Sequence, residues 1–155
     1  MYQPCKVHTP DQIDQLRTLL YDYGAKRNFD KALGNYQEEL ASLPGKYGAP
    51  DGCALIVCHQ EEAVACIAYR KLDATYCEMK RLYVLDTHRG QGLARQLVHQ
   101  LLEEAKTAGY HYMRLDTHPS MLAAQGLYQS IGFSEIERYN ENPTPGIRFF
   151  EKALD

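Results

Sequence analysis

Arg89-Gly90-Gln91-Gly92-Leu93-Ala94 is the stretch of this chain whose residue types and spacing best suit a piece of chemistry. Two glycines stand where a strand-like run, Glu78 to Val84, gives way to a helix-like run, Ala94 to Lys106. Glycine reaches backbone angles closed to other residues and lets a ligand come close. The first N–H groups of a helix have no partner inside it, and the helix dipole adds positive potential there. A strand–Gly-x-Gly–helix is thus suited to hold a phosphate or pyrophosphate on backbone N–H groups. No Gly-Lys-Ser/Thr follows, so the loop is not a Walker A motif. It also lacks the third glycine and the later acidic residue of the dinucleotide fingerprint.

The elements that must position this loop follow from hydrophobic period and breakers. Tyr2 to His8 reads as a short strand, and Thr9-Pro10 as a helix start, with apolar residues at helical spacing to about Tyr23. A second helical stretch begins at Asn28 or Asp30, carries Phe29, Leu33, Tyr36, Leu40 and Leu43, and stops at Pro44-Gly45. Three strand-like runs come next: Cys53 to His59, Ala63 to Lys71 and Thr75 to Leu85, with Glu61-Glu62 and Asp73-Ala74 as turns of an antiparallel meander. A helix from about Gln91 to Ala108 shows one face of Leu93, Leu97, Leu101 and Ala105. Then follow a strand (His111 to Thr117), a short helix (Ser120 to Ser130) and two strands (Ser134 to Tyr139, Ile147 to Ala153), the last two joined by a loop from Asn140 to Gly146. The order is βααβββαβαββ, a mixed α/β layer fold. In the Thr75–Leu85 strand, simple alternation puts Glu78, Lys80, Leu82 and Val84 on one face and Met79, Arg81 and Tyr83 on the other.

Bulk properties narrow the classes. The chain has 155 residues, which suggests a single domain over 1–155. A net charge of −3 with no basic block argues against a nucleic-acid partner. No apolar run is long enough to span a bilayer and no signal peptide is recognisable, so a cytoplasmic protein is expected. The five cysteines form no C-x-x-C pair and read as reduced thiols, and the six histidines show no metal-ligand spacing, so no metal is expected.

Two motifs in register carry a resemblance. Arg89 to Ala94 fits Arg/Gln-x-x-Gly-x-Gly/Ala, and Leu82-Tyr83-Val84 precedes it on the strand. Downstream, Ala124 to Phe133 fits A-x-x-L-Y-x-x-x-G-F. Together with the element order, the chain resembles the GNAT (Gcn5-related N-acetyltransferase) superfamily, in a bacterial-type subgroup, over nearly its whole length. The resemblance implies a GNAT acyl-CoA N-acyltransferase fold, with a mostly antiparallel central sheet and one splayed parallel strand pair. It implies acetyl-CoA as cofactor. Leu82, Tyr83 and Val84 would lie along the pantetheine through backbone groups. Arg89, Gly90, Gln91, Gly92, Leu93, Ala94 and Arg95 would enclose the pyrophosphate, with Arg95 adding charge or remaining a solvated helix residue.

The implied reaction is attack of a neutral primary amine on the thioester. Tyr128 matches the family's thiol-protonating tyrosine; a phenol with a reference pKa of about 10 is protonated at neutral pH and can donate to sulfur. For the base, Glu78 matches the glutamate of one branch and Asp116 that of another; water without a dedicated base is the third option. One departure is Met121, where the superfamily often has an asparagine that helps hold the cofactor, and Ser120 is a substitute contact. The acceptor, a small-molecule or peptide amine, would meet the first two helices and the loop between the last two strands, where Tyr21, Tyr23, Arg27, Phe29, Tyr36, Tyr139 and Asn140 stand. His111 and His118 are candidate proton carriers. A non-catalytic acyl-CoA-binding module and a transferase of a longer acyl group are the competing readings. A homodimer is compatible with all of them.

Overall fold

The computed structural model describes residues 2–27 and 36–155. Its elements are β1 (Cys5–Lys6), α1 (Pro10–Arg27), α2 (Tyr36–Ala41), β2 (Cys53–His59), β3 (Glu62–Lys71), β4 (Tyr76–Val84), α3 (Leu93–Thr107), β5 (Tyr112–Thr117), α4 (Leu122–Ile131), β6 (Ser134–Ile136) and β7 (Arg148–Ala153). The order is the one expected from the sequence. Helix α1 starts as a capping box: Thr9 Oγ1 accepts from the Gln12 N–H (3.2 Å) while Gln12 Oε1 accepts from the Thr9 N–H (3.1 Å). It runs to Arg27, beyond the expected Tyr23. The stretch Asn28 to Gly34, expected to open the second helix, and with it Phe29 and Leu33, lies outside the described residues. Strand β6 is shorter than expected. Arg138 Nη1 donates to the carbonyls of Asn140 (3.1 Å) and Asn142 (2.8 Å), which curls the chain into a loop before Tyr139.

Seven strands form one sheet in the order β1-β2-β3-β4-β5-β7-β6. All neighbours are antiparallel except β4 and β5. That parallel pair is registered only over Tyr76↔Tyr112, Cys77↔Met113 and Glu78↔Arg114, at the start of both strands. Beyond Glu78 the two strands diverge, and no described strand pairs with the exposed edge of β4. A wedge-shaped opening results in the middle of the sheet.

The core lies in two layers. Leu55, Val57, Ile67, Cys77 and Met79 pack with the apolar face of α3, Leu93, Leu97, Leu101 and Ala105, and with Tyr128 and Phe133. On the other side, Ala54, Ile56, Cys66, Ala68 and Tyr83 pack against Leu16, Leu19 and Leu20 of α1 and Leu40 of α2.

The expected alternation along β4 is corrected. Ala68 pairs with Lys80 and Cys66 with Tyr83, so Arg81 and Leu82 together face Ile67: a β-bulge. Arg81 occupies it with φ of 64°, a left-handed angle unusual for a non-glycine residue. The extra residue reverses the parity. Glu78, Lys80 and Tyr83 belong to the α1/α2 side, while Met79, Leu82 and Val84 belong to the α3/α4 side. Arg81 is anchored there by a bidentate pair to Glu39 of α2 (2.8 and 2.9 Å) and stacks over Tyr36, 5.2 Å from the ring centre.

Candidate active site

On the α3/α4 side a cavity of about 400 Å³ opens between the end of β4 and the two helices. That volume is within the range of small-molecule sites. Leu82, Val84, Gly90, Gly92, Leu127 and Tyr128 are among its walls. Gly90 and Gly92 have φ of 78° and 77°, and a Cβ on either would meet no protein atom within 4 Å. The backbone angle therefore favours glycine, and the space above the loop is open. Gly92 caps α3, and the N–H of Gln96 returns to its carbonyl at 3.1 Å. The N–H groups of Leu93, Ala94 and Arg95 precede that bond, and by helix geometry have no partner within the helix. Free N–H groups at a helix start can receive an anion.

The side chains around the loop divide into distinct duties. Arg89 reaches back to the Val84 carbonyl (3.2 Å) and Asp86 (3.1 Å), so it braces the strand-to-helix turn. Arg95 is exposed and donates to Ser130 Oγ of α4 at 2.9 Å, tying the two helices together beside the cavity. Leu93 is buried in the core, so its contribution to the cavity is its backbone. Gln91 is not on the cavity wall. The Tyr83 side chain turns to the opposite face, where its hydroxyl donates to Asp22, and only its backbone faces the cavity. Ser120 turns to His118, with its hydroxyl 2.7 Å from Nδ1, and Met121 lines the cavity instead.

A second, smaller cavity of about 100 Å³ lies on the other side of the opening between β4 and β5. Leu82, Met121 and Tyr128 line both cavities, so the two adjoin at these three residues. Tyr128 is 6% exposed and packs on Phe133 with ring centres 5.8 Å apart. Asp116 is on the wall of the small cavity; Glu78 is not.

The two carboxylates differ in surroundings. Glu78 is 1% exposed. Its Oε1 accepts from Arg70 Nε (2.9 Å) and lies 3.6 Å from Lys80 Nζ; its Oε2 accepts from the Tyr139 hydroxyl (2.5 Å) and Asn140 Nδ2 (3.3 Å). Burial works against ionisation, but Lys80, the Tyr139 hydroxyl and Arg70 outweigh it and hold this carboxyl below the usual glutamate range. Burial and the Glu78 charge in turn push the Tyr139 phenol well up. Glu78 is also one rung of a charge ladder across the sheet, Arg70↔Glu78↔Arg114↔Glu151, closed by the Arg114 Nε–Glu151 bond of 2.8 Å. Asp116 is half-buried. Its Oδ2 accepts from Asn140 Nδ2 (2.7 Å) and Asn142 Nδ2 (3.4 Å), and no cation pairs with it among the described residues. Asn140 thus bridges the two candidates.

Of the expected acceptor wall, Tyr23 lines the small cavity, and Tyr139 and Asn140 stand behind it on Glu78 and Asp116. Tyr36 is buried under Arg81, Tyr21 is exposed at 52%, and Phe29 is outside the described residues, as is the Arg27 side chain. Lys80, Arg81, Asn142 and Thr144 are on the wall without having been expected there. Only the bulge brings Arg81 into place. Asn142 and Thr144 sit in a proline-rich loop, linked by an Asn142 Oδ1 to Thr144 N–H bond of 3.0 Å, a turn-forming contact that sequence pattern does not separate from any other loop.

A family model described as "Acetyltransferase (GNAT) family" matches residues 13–133. The chain belongs to the GNAT acetyltransferase family. It is 35% identical over 150 residues to an N-acetyltransferase of Schizosaccharomyces pombe, covering 96% of this chain and 92% of that one. A Klebsiella pneumoniae acyl-CoA N-acyltransferase structure superposes with a TM-score of 0.74 at 27% identity, over 100% of this chain and 99% of that one. A Salmonella typhimurium acetyltransferase, solved with acetyl-CoA as its cofactor, shares the fold with a TM-score of 0.74 at 18% identity, over 99% of this chain and 94% of that one. The seven-stranded sheet with its single parallel pair is therefore that of an acetyltransferase fold.

Proposed function

We propose that this GNAT protein transfers the acetyl group of acetyl-CoA to a primary amine of a small molecule by direct attack on the thioester. The observation that carries the reading is the junction at Leu82, Met121 and Tyr128, where a large cavity ending on the glycine loop adjoins a small one whose wall holds Lys80, Arg81 and Asp116. The N–H groups from Gly90 to Arg95 suit the pyrophosphate, and the unpaired edge of β4 from Leu82 to Val84 suits the amide-containing pantetheine. The thioester then falls at the junction and the acceptor amine comes from the small cavity.

In the reaction a C–N bond forms and the C–S bond breaks. Asp116, on the acceptor wall, takes a proton from the incoming ammonium, directly or through a water. Tyr128 donates to the departing sulfur and is reprotonated from the nitrogen. Glu78 is assigned a positioning role: its charge is engaged by four neighbours, and through Asn140 it fixes the orientation of Asp116. Tyr128→Phe tests the reading. Loss of a positioned acid should lower kcat by about 10²- to 10⁴-fold, with acetyl-CoA affinity within about threefold. An unchanged kcat would remove Tyr128 from the chemistry.

A further inference from the structure

The small cavity is electrically two-sided. On its β4 wall stand Lys80 and Arg81; on its β5 wall stands Asp116. The positive side carries a surplus. Arg81 and Lys46 share Glu39, at 2.8 and 3.1 Å, and Arg70 and Lys80 share Glu78, at 2.9 and 3.6 Å. Four cations thus surround two carboxylates. Burial, opposed by Glu39 and reinforced by repulsion from Lys80 and Arg81, draws the Lys46 ammonium below its usual range, as expected where positive charge is in excess. Lys80 makes the longest of these contacts and its side chain is 22% exposed, so it retains donor capacity. On the facing wall Asp116 is held by two amide groups and by no described cation.

We infer that the acceptor is a small α-amino acid or close relative, an amine carrying a carboxylate next to it, bound with its ammonium toward Asp116 and its carboxylate toward Lys80. This rests on the acetyltransferase reading above and names its substrate class. A lone amine would leave Lys80, the least engaged of these cations and the one on the cavity wall with donor capacity, unmatched, whereas a zwitterion satisfies both walls at once. The polarity also sets the direction of entry: the nitrogen lies on the β5 side, beside Tyr128 and the junction, while the carboxylate is held back on β4. The acetylated product loses its positive charge and with it the attraction to Asp116, which favours release.

The test is a matched acceptor panel assayed by release of CoA thiol: free L-amino acids, their carboxamides, the corresponding decarboxylated amines and phosphate-bearing amines. Free amino acids should show kcat/KM at least 10-fold above their carboxamides and decarboxylated counterparts. Lys80→Met should raise KM for the amino acids about 10- to 100-fold, the scale of a lost hydrogen bond to a charged group. It should narrow the preference for amino acids over their decarboxylated amines by a similar factor, and Lys80→Arg should restore most of that preference. Equal or better turnover of decarboxylated amines, or of phosphate-bearing amines alone, overturns the inference and leaves the acetyltransferase reading standing. So does an unaltered preference in a folded Lys80→Met protein. Tight acetyl-CoA binding without thiol release from any amine would overturn the acetyltransferase reading itself.

Discussion

Glu78→Gln separates a base from a scaffold. The substitution keeps the shape of the side chain and removes one negative charge at a site 1% exposed. Four groups lose by it: Arg70 at 2.9 Å, Lys80 at 3.6 Å, the Tyr139 hydroxyl at 2.5 Å and Asn140 at 3.3 Å. A glutamine offers one acceptor oxygen where the carboxylate offers two, so at least one buried donor is left opposite an NH₂. Breaking a fully buried pair costs about 3–5 kcal/mol. Here the Arg70 and Lys80 side chains are 33% and 22% exposed, and water can recover part of their solvation, which brings the expected loss to about 2–3 kcal/mol. For a chain of this size that lowers Tm by about 4–12 °C. The pH dependence has a definite sign. The folded-state carboxyl lies below its unfolded value, so its stabilisation is complete above about pH 4.3 and is lost as pH falls through the folded pKa. The gap between wild type and Glu78→Gln should therefore be constant from neutral pH down to about pH 5 and close below it. Urea unfolding at a series of pH values reads this directly, and kcat at saturating acetyl-CoA, below the melting range, completes the assay. As scaffold, Glu78→Gln should cost kcat less than about 10-fold. A drop of 10²-fold or more with stability unchanged would refute the reasoning and return Glu78 to the role of base.

Three further outcomes are expected. Gly92→Val should weaken acetyl-CoA binding by at least about 100-fold in calorimetry, because the side chain enters the open space over the loop and the φ of 77° penalises any β-branched residue; wild-type affinity would sink the loop assignment. Glu39→Gln should lower the urea midpoint by the equivalent of about 3–5 kcal/mol, since Arg81 and Glu39 have side chains only 8% and 9% exposed; a change below about 1 kcal/mol would show that the ion pair does not hold the bulge. A thiol reagent at pH 8 should titrate Cys5 and Cys58 in the native protein and all five cysteines after denaturation. Burial raises the Cys53 thiol to about 11 and the Cys66 and Cys77 thiols to about 12; rapid native labelling of any of these three would contradict the packing.

Much of the architecture was legible because each element has a local signature. The helix start at Thr9-Pro10 and the apolar face of α3 each state their element within a few residues. The glycine loop was legible for the same reason, since positive-φ glycines at a strand-to-helix junction are a local device. The acceptor side was not. Its wall comes from β4, β5, α1 and the β6–β7 loop, brought together by the sheet order. Residues such as Asn142 and Thr144 carry no signature of their own. The face assigned to Leu82 and Val84 was misplaced because alternation has no means of registering one extra residue.

That extra residue has a chemical consequence. Before the bulge, β4 sets Lys80 on the wall of the small cavity, with Glu78 on the same face behind it; after it, Leu82 and Val84 line the large cavity. A regular strand would have sent all four side chains to one face, leaving the charged pair and the apolar cofactor wall in the same space. With the bulge, a single strand turns its charged pair Glu78 and Lys80 to one face of the sheet and Leu82 and Val84 to the other. The arrangement depends on Arg81 keeping an unfavourable backbone angle, which costs about 1–2 kcal/mol for a non-glycine residue. The bidentate pair with Glu39 and the Tyr36 ring offset that cost. The ion pair to α2 therefore sets the parity of β4 and, in the proposed reading, the separation of donor from acceptor.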